Sequence, residues 1–264
     1  MSLQETFATC RDEARAALIG YLPAGYPTVE GSKRLLAGML AGTSDSPGCD
    51  VVEVGIPFSD PVIDGPTIQG ATHRALQAGF RVRDVFDVVS SVAASGGRAV
   101  VMTYWNPIHH YGPDAFARDL RAAGGLGVIT PDLVPDEAEE WMAATDRHGL
   151  DPIFLIAPSS TDQRLAMTAK ASSGFVYATS VMGVTGARDS VGSAASELVA
   201  RARSHTDLPI GVGLGVRSGA QAAEVGSFAD AVIVGSAFVN AAESEGSDGV
   251  RALAGELGAG VRGR

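Results

Sequence analysis

The stretch Val51-Val52-Glu53-Val54-Gly55-Ile56-Pro57-Phe58-Ser59-Asp60-Pro61-Val62-Ile63-Asp64-Gly65-Pro66-Thr67-Ile68-Gln69 puts one carboxylate inside a valine run and two more in the loop that follows. A β-branched run ended by Gly-Ile-Pro reads as a strand covered on both faces, as in parallel sheets. An unpaired carboxylate there costs several kcal/mol. Glu53 therefore needs either a buried cationic partner or a function, and its position in a strand favours function. Alternation along the strand puts Glu53 on the face of Val51 and opposite Val52 and Val54, but leaves open which face looks inward.

Similar runs recur outward from this stretch. Ala17 to Leu22 precedes it, and Ala99 to Tyr104, Leu126 to Ile129, Pro152 to Ile156, Gly174 to Tyr177, Pro209 to Val212 and Ala231 to Val234 follow. Each is separated from the next by enough chain for a helix. Val85, Phe86, Val88 and Val89 have helical spacing within 82–94, and Pro135 to Trp141 reads as a helix start with acids in its first turn. Eight such units in about 250 residues predict an α/β fold, a (β/α)8 TIM barrel, with an extra N-terminal helix and elaborated βα loops. An open doubly wound sheet is the lesser alternative. Ala41 to Gly48 reads as a loop and 246–264 as a last helix with a frayed tail. No linker or shift in composition divides the chain, which predicts one domain over residues 1–264.

Composition narrows the function. With 264 residues, 45% hydrophobic and 19% charged, the chain can bury a large core. Its formal charge of −10 and the lack of a Lys/Arg cluster argue against nucleic acid and anionic membranes as partners. No apolar run approaches the roughly 20 residues of a membrane span. The N-terminus has no basic region followed by an apolar core, and only Cys10 and Cys49 are present, so a cytoplasmic protein is expected.

In such barrels the chemistry sits at the C-terminal ends of the strands, where Glu53 falls. Asp64, before Gly65 and Pro66, reads locally as a turn residue or as the cap of a helix starting near Thr67. Spacing leaves the role of Asp60 open. Gly211-Val212-Gly213-Leu214-Gly215 and Val234-Gly235-Ser236-Ala237 follow the seventh and eighth strands, where bare backbone N–H groups commonly hold phosphate. Gly183 to Arg188, after the sixth strand, is either a ligand-ordered lid or a plain loop. The only lysines, Lys33 and Lys170, fall in predicted helices, which argues against a Schiff-base aldolase. Of five histidines only the adjacent His109 and His110 come near a strand end, in an expected surface loop, so no metal site is expected.

The stretch Glu53 to Pro61, the run Asp64 to Gln69, Gly183-Val184-Thr185-Gly186, Tyr104-Trp105-Asn106-Pro107, Pro131-Asp132-Leu133 and the two late glycine segments together resemble the tryptophan synthase alpha subunit family. The resemblance runs from Leu18 to about Val239. It implies a carbon–carbon lyase of tryptophan biosynthesis, cleaving indole-3-glycerol phosphate to indole and glyceraldehyde 3-phosphate, with no cofactor in this subunit. It also implies an α2β2 heterotetramer with a beta subunit that carries pyridoxal phosphate (PLP).

By motif, the resemblance makes Glu53 the acid/base and Asp64 the acceptor for the indole N–H. It assigns Thr185, Gly186, Gly213, Gly215, Gly235 and Ser236 to substrate binding, the glycines and Ser236 around the phosphate. Tyr177 would line the site, and Tyr21, Tyr104, Leu133 and Ile156 the indole pocket. Pro57, Asp60 and Asn106, in loops of residues 57–61 and 106–112, would face the beta subunit. Tyr26, Met182, Val134 and the His109-His110 pair depart from the family pattern. The alternatives are another phosphate-binding barrel isomerase, or a partner-binding subunit without catalysis.

Overall fold

The computed structural model describes residues 2–179 and 188–263. Its strands are β1 (Ala17–Pro23), β2 (Val51–Gly55), β3 (Ala99–Met102), β4 (Gly127–Ile129), β5 (Asp151–Ile153), β6 (Leu155–Ile156), β7 (Val176–Thr179), β8 (Ile210–Gly213) and β9 (Ala231–Val234). All pairings are parallel, in the order β5-β4-β3-β2-β1-β9-β8-β7-β6. The two ends of this series, β5 and β6, are separated only by Phe154. They are two pieces of one strand, β5 bonding to β4 and β6 to β7, so the nine segments amount to an eight-stranded barrel. Every predicted run is a strand; the fifth is split.

Outside the barrel, helices α2 (Val29–Ala41), α3 (Pro66–Gln77), α4 (Asp84–Ala94), α5 (Trp105–Tyr111), α6 (Pro113–Ala122), α7 (Glu139–His148), α8 (Asp162–Ala171), α9 (Arg188–Arg203), α10 (Gly219–Gly226) and α11 (Ser236–Val261) cover the strands. Three expectations are corrected here. Residues 106–112 are mostly the short helix α5, which also carries the exposed His109 and His110. Pro107 falls in its first turn, where a missing N–H is tolerated. The acid-rich start at Pro135 is a 3-10 turn, Pro135–Glu137, before α7 begins. The last helix begins at Ser236 and runs through a kink at Gly246, whose φ of 62° suits glycine.

The alternation of strand side chains sorts the core into two layers. Ala17, Ile19, Val51, Val100, Ile129, Ile153, Ala231 and Ile233 fill the barrel, while Val52, Val54, Val101 and Val128 pack under the helices. Glu53, two residues from Val51, thus faces the barrel interior. The N-terminal helix α1 (Leu3–Asp12) closes the lower end. A capping box starts it: the Glu5 N–H donates to Ser2 Oγ at 3.1 Å and the Ser2 N–H to Glu5 Oε2 at 2.6 Å. Its Leu3, Phe7 and Cys10 then plug the interior, with Phe7 and Phe175 ring centroids 5.7 Å apart.

Candidate active site

β2 delivers Glu53 to the interior one turn of register below the barrel mouth, beside Tyr21 of β1 and Val100 of β3. The side chain is 1% exposed, and its Oε2 meets no hydrogen-bond partner among the described residues. Among the described residues no buried cation balances it, so the charged form is penalised. Burial first, and the nearby Asp64 second, push its pKa from 4.5 up to about 8. Glu53 can therefore hold or release a proton near neutral pH.

Asp64 comes to the same mouth from the loop between β2 and α3. It does not cap the helix: Gly65 is the N-cap and makes no side-chain bond, while Pro66 opens the first turn. Instead the Tyr104 hydroxyl donates to Asp64 Oδ2 at 3.3 Å, and Gln69 Nε2 donates to the Asp64 carbonyl at 2.8 Å. Burial raises the Asp64 pKa and the Tyr104 hydrogen bond opposes the rise. Two carboxylates of unlike environment thus lie within each other's field, the pattern that separates acid from anion roles.

Tyrosines flank the two carboxylates. Tyr21 is buried and its hydroxyl bonds Thr72 of α3; burial, then Asp64 and Glu53, hold its pKa well above the usual value. Tyr177 of β7 is raised by burial, Glu53 and Asp64. Each tyrosine lies over a glycine of another strand: an added Cβ would sit 2.5 Å from Tyr21 Oη at Gly55 and 2.8 Å from Tyr177 Oη at Gly213. Gly213, expected at the phosphate, is thus also required by Tyr177. Gly215 has φ +66° and open space around it, while Gly235 and Ser236 form the N-cap and first residue of α11. That N-terminus offers unpaired backbone N–H groups and the positive end of the helix dipole. Thr185 and Gly186, with Met182, lie outside the described residues.

Other expected residues lie elsewhere. Ile156 packs on the helix side; Leu155, paired with Tyr177, is the one that joins the interior cluster. Period two from Ile153 held that signal, once the inward face was known. Leu133 is buried with the helix-side core rather than with the interior cluster. Gln69 and Thr72, about one and two turns into α3, carried no expected role; Gln69 closes the quoted stretch and Thr72 lies beyond it. Pro57 is buried, whereas Asp60 and Asn106 are exposed and Val62, between Asp60 and Asp64, is 74% exposed. A cleft of about 280 Å³ lies at the opposite end of the barrel, lined by Phe7, Cys10, Arg15 and Asp230. Its carboxylate is paired, Asp230 with Arg203 at 3.0 Å, so it lacks what makes the mouth reactive.

A family model described as "Tryptophan synthase alpha chain" matches residues 7–257. The chain belongs to this family. The tryptophan synthase alpha chain of Nocardia farcinica is 62% identical over 260 residues, covering 98% of this chain and 96% of that one. A crystal structure of tryptophan synthase from M. tuberculosis superimposes with a TM-score of 0.91 at 57% identity, covering 99% of each chain. The alpha-chain fold extends to a more distant neighbour from the tryptophan synthase a2b2 complex of Pyrococcus furiosus, with a TM-score of 0.83, 33% identity, and coverage of 95% of this chain and 99% of that one. Among the described residues no helix is long and apolar enough to cross a membrane.

Proposed function

We infer that this chain cleaves indole-3-glycerol phosphate to indole and glyceraldehyde 3-phosphate in tryptophan biosynthesis, as the alpha subunit of a complex with a tryptophan synthase beta subunit. The observation that carries the reading is Glu53, whose buried Oε2 has no hydrogen-bond partner among the described residues and which lies within the field of Asp64, in a chain of this family. The reaction is a retro-aldol cleavage. Protonated Glu53 delivers its proton to indole C3, leaving positive charge shared with the ring nitrogen. Ionised Asp64 accepts the indole N–H hydrogen bond and stabilises that cation as it forms. The bond from C3 to the side chain then breaks, its electron pair returning to the ring, while the Glu53 carboxylate takes the hydroxyl proton as the carbonyl forms. Glu53 ends protonated, ready for another turn.

The substrate phosphate fits the N-terminus of α11 at Gly235 and Ser236, beside Gly213 and Gly215, with Thr185 and Gly186 completing the binding set. Tyr21, Tyr177 and Leu155 give the apolar walls that an indole ring needs. Asp60, Val62 and Asn106 form the exposed surface offered to the beta subunit. We place PLP in that partner and the complex in the cytoplasm; the alpha reaction needs only the groups named. An isomerase of the phosphate-binding barrel type would share the late glycines but not the whole Glu53-to-Gln69 stretch.

Glu53→Gln tests the reading. Indole release from indole-3-glycerol phosphate, assayed with the beta subunit present, is expected to fall about 10²- to 10⁴-fold. A rate near that of the parent would remove Glu53 from the mechanism.

A further inference from the structure

Tyr104 follows β3 and is buried, and its hydroxyl is fully used. It accepts the backbone N–H groups of Val62 at 3.1 Å and Ile63 at 3.2 Å, and it donates to Asp64 Oδ2 at 3.3 Å. A phenol oxygen has two good acceptor directions and one proton. Both acceptor directions face N–H groups, so the proton is forced toward Asp64. No hydrogen-bonding capacity is left for a polar group of the substrate.

The rest of the residue is held as firmly. The Phe58 ring lies against the Tyr104 ring, centroids 5.1 Å apart and planes 30° apart. The next N–H, that of Trp105, donates to Asp132 Oδ1 at 2.8 Å, which ties this turn to the loop after β4. Tyr104 thus grips the β2–α3 loop at two places, Phe58 and Val62-Ile63, from a fixed seat just after β3, at the start of α5.

We propose that Tyr104 is a positioning residue for Asp64, a latch whose hydroxyl fixes the β2–α3 loop and holds the Asp64 carboxylate as a hydrogen-bond acceptor for the indole N–H, rather than a wall of the indole pocket. The proposal rests on the reading above and deepens it. A latch of this kind favours ionised Asp64, because its hydrogen bond is to the charged form. It also orders Val62, Ile63 and Asp64 before the transition state rather than in it.

Tyr104→Phe keeps the ring against Phe58 and removes only the hydroxyl. In the complex with the beta subunit, kcat for cleavage is expected to fall about 10- to 100-fold with a smaller change in KM, the size expected for a hydrogen bond to a charged group. The acid limb of the kcat/KM profile should move to higher pH, since Asp64 loses the donor that favours its charged form. Amide exchange at Val62 and Ile63, expected to be slow in the parent because both N–H groups are bonded to Tyr104, should speed up in the variant. An unmoved acid limb, or a loss confined to KM, overturns the positioning role. If the variant does not fold, the parent alone decides: exchange at Val62 and Ile63 as fast as at exposed loop amides means that no latch exists. Glu53→Gln run alongside separates the two claims, because retained activity there defeats the reaction while amide exchange still reports the latch.

Discussion

Asp50 and Glu53 are three residues apart on one segment of chain and meet opposite fates. Asp50, at the lower end of the barrel just before β2, is saturated: Arg15 grips it with two nitrogens at 2.8 and 2.9 Å, the Leu18 N–H donates to it at 2.8 Å, and Arg262 approaches to 3.3 Å. That cluster joins the end of α1, the start of β1 and the end of α11. Glu53, higher on the same segment, has a buried oxygen with no partner among the described residues. The protein satisfies the carboxylate that holds the barrel shut and starves the one at its mouth. Charge pairing marks the structural end, and uncompensated burial marks the chemical end.

The first way to break this contrast is to exchange the losses. Asp50→Ala leaves Arg15 and Arg262, with side chains only 8% and 11% exposed, without their buried partner. It should destabilise the fold by about 3–5 kcal/mol in urea unfolding, while kcat/KM of the folded fraction stays within about threefold. A stability loss under about 1 kcal/mol would mean that the cluster does not hold the lower end together.

Glu53→Gln should do the reverse. Folded Glu53 keeps its proton up to about pH 8, whereas an exposed glutamate loses it near 4.5. Between those values the folded chain binds more protons than the unfolded one, so this group subtracts stability as pH rises. Glutamine has no such penalty. The stability of Glu53→Gln relative to the parent is therefore expected to climb from pH 5 to pH 9, by about 2–3 kcal/mol, below the full linkage value because buried sites relax. A difference that stays flat with pH would show that Glu53 is already charged in the folded chain.

How much of this the sequence carried depends on the distance over which each feature is decided. The strands were legible because parallel strands buried on both faces must be β-branched runs, and the split at Phe154 moved no predicted strand off its place. Glu53 was legible as an anomaly within five residues. Its inward face was not, since period two separates faces without naming them; Ile19 and Ile233 on neighbouring strands had to be seen beside Val51. The same ambiguity hid that Leu155, not Ile156, joins the interior layer. Helix α5 escaped because seven residues containing Pro107 carry almost no period. Asp64 was the hardest, because local chemistry offers a turn or a cap, and what holds it is a tyrosine 40 residues away.

The glycines under the two tyrosines give the finest version of the contrast. Neither Gly55 nor Gly213 has a positive φ, so alanine strains no backbone at either place and only the ring above it matters. At Gly55 the added methyl would lie 2.5 Å from both Cε2 and Oη of Tyr21, a ring buried on a central strand with its hydroxyl tied to Thr72. The same ring packs beside Gly235, at the start of α11, so displacing it disturbs that side of the candidate site. Gly55→Ala should therefore cost about 1–3 kcal/mol of stability and raise KM for indole-3-glycerol phosphate severalfold. At Gly213 the nearest atom is Tyr177 Oη at 2.8 Å, the far end of a half-buried side chain, with the next ring atoms at 3.4 Å. A small ring tilt relieves it, so Gly213→Ala should cost less than about 1 kcal/mol, and its effect should fall on KM through the tilted Tyr177. Equal losses at the two sites would mean that Tyr177 is fixed as rigidly as Tyr21, and that the wall on the β7 side is part of the frame rather than an adjustable face of the pocket.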